Sequence, residues 1–161
     1  MKTILELIEA VTGIFYNDMF LYTVNHDKED VARRYGGYLC LRDANVDFPP
    51  YAVFSLGRIP NDKRERYYRN AMEKAERLFC GSNTLLSSWQ TRDEAAGKYG
   101  GGIRTKELIF SFSGLPELAD EAFMLLVARR LELLSEDLIA HIGNMSGSYS
   151  LYESLRTVLK M

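Results

Sequence analysis

The chain is predicted to adopt an α+β fold, and three observations lead there. Two segments, 38–43 (YLCLRD) and 51–58 (YAVFSLGR), are rich in Tyr, Val, Phe and Leu with partial alternation, and read as antiparallel strands. Residues 61–80 carry an apolar stripe at helical period. Residues 97–128 begin with a glycine cluster and continue as a strand, LIFSF. They then turn at Ser113-Gly114-Leu115-Pro116 and enter a helix at Glu117, Asp120 and Glu121. Strands with mostly antiparallel neighbours, interleaved with helices, predict a sheet with helices on its faces.

Taken in order, residues 4–16 form an amphipathic helix, because Ile4, Leu5, Ile8, Val11 and Phe15 recur at three- and four-residue steps. Residues 19–24 (MFLYTV) are β-branched and aromatic enough for a short strand or a packed linker. The polar stretch 25–30 reads as a loop, and Gly36-Gly37 as a break before the first strand. Pro49-Pro50 keeps the connection between the two strands irregular.

In the helix 61–80, Asn61 or Asp62 is the expected cap. Tyr67, Tyr68, Ala71, Ala75, Leu78 and Phe79 form the stripe, and Gly81 is the stop. Residues 82–96 are ambiguous, with LLSSW a candidate short strand. In the strand 107–113, Leu108, Phe110 and Phe112 face one way and Ile109 and Ser111 the other, which suits a central strand. One long helix is expected from Pro116 to about Ile142, apolar over most of its circumference and so either central or at a subunit contact. GNMSGS at 143–148 ends it, and a terminal helix covers 149–160. No repeat or linker divides residues 1–161, so one domain is expected.

The chain has 161 residues, 47% hydrophobic, enough for a genuine core. A formal net charge of −2 gives no global field toward nucleic acid or an anionic membrane, so neither is expected as a partner. The cluster Lys63, Arg64, Arg66 and Arg69 alternates with acids and reads as a solvated helix face. Cys40 and Cys80 form no metal or redox motif, and Cys40 suits a small buried hydrophobe. Glu6 and Glu9 interrupt the opening apolar stretch, against a signal peptide, and no segment reaches the ~20 apolar residues of a membrane span. A cytoplasmic protein with free thiols is the expectation.

The run Gly97…Gly100-Gly101-Gly102 precedes a strand rather than a helix. Arg104, Thr105 and Lys106 follow in the wrong order for a phosphate loop, but such a loop can wall a small-molecule pocket. His26 and His141 are the two histidines, each placed for a surface or capping role and each a candidate axial ligand if haem binds. Ser113 lies in SFSGLP, not in a nucleophile elbow, and reads as a turn hydroxyl. Glu117, Asp120 and Glu121 suit the positive end of a helix dipole, and a hard cation is the alternative.

Residues 35–135 carry a resemblance, sharp in 100–122. Gly101-Gly102-Ile103, the strand 107–112, Ser113-Gly114-Leu115 and Asp120-Glu121 resemble the GlcG-like, or haem-degrading domain, family. LLSS at 85–88 is similar to that family's segment before its glycines. The resemblance implies a profilin-like fold with about five antiparallel strands between helices, a haem or corrinoid-type ligand, and oligomers, here a homodimer or higher. The sequence departs in a bulkier strand, LIFSF, a shortened hairpin, and extra residues at 143–161. The resulting expectation is a non-enzymatic small-molecule binding or sensory module, with Arg58, Gly100, Gly101, Gly102, Arg104, Ser113, Asp120 and Glu121 as candidate ligand-binding residues. The alternatives are an enzyme acting on a small anionic metabolite, held by Arg58, Arg104 and the glycine loop, and a protein-interaction subunit built on the long apolar helix.

Overall fold

The computed structural model describes residues 4–26 and 35–161. Among them the chain runs α1 (Ile4–Phe15), α2 (Asp18–His26), β1 (Tyr35–Asp43), β2 (Ala52–Arg58), α3 (Arg64–Cys80), β3 (Gly102–Arg104), β4 (Leu108–Ser113), α4 (Glu117–Arg130), α5 (Glu136–Ser146) and α6 (Tyr149–Val158). The architecture is α+β. Four strands form one antiparallel sheet in the order β2-β1-β4-β3, one fewer than the five expected.

Two candidate strands, 19–24 and LLSSW, are absent from the sheet, and one that was not expected, β3, is added. MFLYTV is not a strand but part of α2. Phe20 and Val24 are buried four residues apart, and Asn17 Oδ1 accepts from the Met19 amide at 3.0 Å at the helix start. The apolar period there is four, and it prevails over the β propensity of the residue types. LLSSW contributes a single bridge, Ser87 to Ile103, and then coils into a 3-10 turn, Ser88–Thr91. A reciprocal cap holds that turn: Ser87 Oγ accepts from the Trp89 amide at 3.0 Å, and Gln90 Oε1 from the Ser87 amide at 3.0 Å.

The sheet separates two apolar cores. On one face α3 packs through Ala71, Ala75 and Leu78 onto Cys40, Ala44 and Ile109. Tyr67 is buried there, while Tyr68, expected in the contact, is exposed and stacks its edge on Tyr38. A 3-10 turn, Asn61–Lys63, precedes α3, and neither Asn61 nor Asp62 caps it through a side chain. Burial pushes the Cys40 thiol up to about 12, consistent with a small apolar role. On the other face Leu39, Leu41, Phe110 and Phe112 meet α1 and α4, with Phe15, Phe20, Phe112 and Phe123 in mutual ring contact. β4 is central, and its two faces divide as its sequence predicts: Ser111 turns to α3, donating to Ala71 O at 2.5 Å.

The helix expected from Pro116 to Ile142 is two helices. α4 ends at Arg130, the Glu132 amide donates to Arg129 O and the Leu133 amide to Ala128 O, and Glu132 takes φ 55. This is a left-handed helix stop made without glycine. Ser135 then caps α5. The break lets α5 and α6 fold back over α4, whose residues Ala119–Ala128 are all buried. α4 is therefore the central helix of the chain, covered by β4, α1, α5 and α6, and not a subunit contact surface.

Gly36-Gly37 does not break the chain but lies inside β1, paired to Gly57 and Leu56. A Cβ on Gly37 would overlap Ser113 O, and one on Gly114 would overlap the backbone of Gly36 and Gly37. The glycines bring β1 and the β4–α4 turn into backbone contact, and that turn borders the site.

Candidate functional site

A cleft of about 330 Å³ opens between α3 and the β4–α4 turn. Its α3 wall presents Arg66, Asn70 and Lys74, successive residues of one helix face at four-residue spacing. The opposite wall is Ser113 to Glu117, and Tyr99 closes one side.

The floor is an ion pair. Lys74 is buried although it sits in an apolar stripe. Its Nζ donates to Asp120 Oδ2 at 3.0 Å and to Phe112 O at 2.7 Å. Asp120 Oδ1 accepts from the Leu115 amide at 2.9 Å. The carboxylate thus fixes the turn and neutralises the ammonium together. Removing one partner alone would strand a buried charge, at a cost of about 3–5 kcal/mol.

The glycine run is the back of this pair. Gly101 has φ 104, and a Cβ there would lie 2.6 Å from Asp120 Cβ and 3.0 Å from Lys74 Nζ. Only glycine lets the loop close on the pair. The Gly100 amide donates to Glu117 Oε1 at 2.6 Å, and the Gly102 amide to Ser88 Oγ at 2.9 Å. Arg77 holds the segment before the glycines. Its guanidinium donates to Ser88 O at 2.6 Å, Thr91 O at 3.0 Å and Tyr99 O at 2.6 Å, while Glu73 accepts from it on two oxygens. Tyr99 is thereby set in the cleft wall.

The candidate residues divide. Ser113 and Asp120 line the cleft, and Gly100, Gly101 and Gly102 support it from behind. Neither predicted arginine reaches it. Arg104 is buried and spends its guanidinium on Leu78 O and Ala44 O, each at 2.8 Å, and on Asn83 Oδ1 at 2.7 Å. It is a structural tie under α3. Arg58 is exposed in a separate depression with Gly57, Ile59, Pro60, Asn61 and Arg64. Glu121 points away from Asp120, into the protein, where it accepts from Ser87 Oγ at 2.5 Å and Ser148 Oγ at 3.0 Å. Burial is the main cause that raises its pKa, against the lowering effect of the serine hydroxyls.

His141 is exposed on α5 and does not line the cleft, and His26 is the last residue of α2. Among the described residues no group of three or more His, Cys, Asp or Glu side chains is placed to hold a metal ion, and no helix is long and apolar enough to cross a membrane.

Arg66, Asn70, Lys74 and Tyr99 were missed in the sequence. Lys74 alone left a signal, a charge at a position whose helical neighbours Tyr67, Ala71 and Leu78 are all apolar. In comparisons with known proteins, the chain matches no family model, no curated protein and no solved structure.

Proposed function

We propose that this chain is a small-molecule binding or sensory module, profilin-like in its arrangement, and that the cleft between α3 and the β4–α4 turn is its ligand site. The observation that carries the reading is the polar floor. A buried, fully charged-paired Lys74 and Asp120 at the bottom of an open cleft is an expensive arrangement for stability alone. Few, convergent polar groups in a concavity of this size are what a metabolite site requires. Arg58 and Arg104, expected in both the binding and the enzymatic readings, lie outside the cleft, and the binding reading rests instead on Ser113, Asp120, Lys74 and the glycines behind them. A metabolite-sized ligand suits about 330 Å³ better than a macrocycle, so the corrinoid and haem options rank below it.

The proposal includes a cytoplasmic homodimer. With α4 covered inside the chain, the exposed Val46, Phe48 and Tyr51 before the edge strand β2 are its best contact surface. Light scattering that returns a monomer mass near 18.4 kDa at high concentration would remove that part.

The binding site itself is tested by a ligand-observed NMR screen of a metabolite set against the chain and its Asn70→Trp variant, which fills the cleft from α3. Hits that bind the parent and vanish with the indole support the site. Hits indifferent to the substitution, or none at all, contradict it.

A further inference from the structure

The charges of the cleft specify a class of ligand, an inference that rests on the reading of this cleft as the binding site. Four charged side chains line it: Arg66, Lys74, Glu117 and Asp120. Three of them are compensated in place. Lys74 and Asp120 neutralise each other at 3.0 Å, and Glu117 accepts from Arg92 Nε at 2.8 Å as well as from the Gly100 amide. Arg66 differs. Among the described residues it has no carboxylate partner, and its one close aromatic neighbour is Tyr67, at 5.5 Å from the ring centre. The four lining charges sum to zero, and with Glu117 held by Arg92, which also pairs with Glu94, Arg66 is the lining charge left without an opposite partner among the described residues.

Donors converge with that charge. The Lys74 ammonium has three N–H groups. Two go to Phe112 O and Asp120 Oδ2, and the third has no acceptor among the described residues. Opposite, Pro116 and Glu117 open α4, a helix of 14 residues, and the Glu117 and Leu118 amides have no acceptor among the described residues. The positive end of its dipole lies on the cleft wall. Asn70, between Arg66 and Lys74, offers both a donor and an acceptor to a polar but uncharged group.

We propose that the cleft takes a small monoanion, a carboxylate or a singly ionised phosphate group on a short polar body. The anionic group lies between the Arg66 guanidinium and the first turn of α4. The neutral remainder points to Asn70 and Tyr99, and an oxygen reaches the spare N–H of Lys74. A cationic ligand would face the unpaired Arg66 while Glu117 and Asp120 are already engaged, and a dianion would exceed the one unpaired cation.

The test is isothermal titration at low salt and about pH 5.5, where lactate and inorganic phosphate are both monoanions, with three probes: lactate, its neutral amide lactamide, and inorganic phosphate. Lactate is expected to bind at least about tenfold more tightly than lactamide, because hydrogen bonds to a charged acceptor are the stronger kind. Phosphate binding in place of lactate would identify the phosphate arm of the same chemistry. Arg66→Gln should weaken the anion on the order of tenfold, Arg66→Lys should keep most of the affinity, and Arg69→Gln, on the same helix but outside the cleft, should leave it unchanged. Arg66 is exposed, so these variants fold. Equal binding of lactate and lactamide, or binding indifferent to Arg66→Gln, overturns the monoanion and leaves the cleft standing. Silence from all three probes also overturns the monoanion, while the Asn70→Trp screen judges the cleft separately.

Discussion

Lys74 and Glu121 are both buried charges on helices, and their surroundings give them opposite characters. Lys74 has a carboxylate within 3.0 Å, whereas Glu121 has only hydroxyls. Desolvation without an opposite charge favours the neutral acid. The sign for stability follows. With its pKa raised in the folded state above the ordinary 4.5, Glu121 keeps its proton in the fold where the unfolded chain has lost it. Its stabilising contribution is complete below 4.5 and declines as pH rises through the folded-state value. Glu121→Gln mimics the protonated form and removes this decline. In urea unfolding, the stability of the variant relative to the parent should therefore grow as pH rises above 4.5. A difference that is flat with pH, or that shrinks, would refute the assignment.

At the residue scale the sequence was informative about type and silent about partner. Glu117, Asp120 and Glu121 were legible as the acidic opening of a helix. Their division into a loop anchor, an ion-pair partner and a buried acid depends on elements up to 46 residues away. Arg104 looked like an anion ligand because it follows glycines. Three buried acceptors satisfy it instead, and nothing local announces them.

The element scale is where periodicity succeeded and where turns failed. α1, β1, β2, α3 and β4 were legible because each carries an apolar pattern of its own period. The α4–α5 break was not, because Glu132 takes a left-handed conformation that usually signals itself by glycine. Gly36-Gly37 failed in the opposite direction, read as a break although the glycines serve close packing within a strand. That packing yields a prediction. Gly37→Ala should cost about 1–3 kcal/mol, by overfilling a tight contact. It should also displace the Ser113–Pro116 wall, so ligand affinity should fall along with stability. Thermal unfolding and titration on one sample check both. Full affinity with lost stability would mean that the glycine contact does not position the cleft.

For the whole molecule, the central helix organises everything else. One side of α4 packs on the sheet, and α1, α5 and α6 cover the rest. Its first turn is thereby held rigidly at the end of β4, facing α3 across the cleft. A site placed on two helices and a central strand is preorganised rather than assembled from loops, apart from Tyr99 and the glycines that Arg77 and Glu117 pin down. The α+β class was legible from the sequence. The cleft was not, because its walls come from three segments that meet only in the fold.

The central claim is that a small molecule binds between α3 and the β4–α4 turn. Mapping amide ¹H–¹⁵N shifts during titration with lactate and with phosphate tests it most directly. The largest changes are expected at Asn70, Tyr99, Gly114, Leu115 and Glu117, around one cleft. Changes centred instead on Gly57, Arg58 and Ile59, with none around the cleft, would contradict it, whereas silence to both probes bears on the monoanion alone.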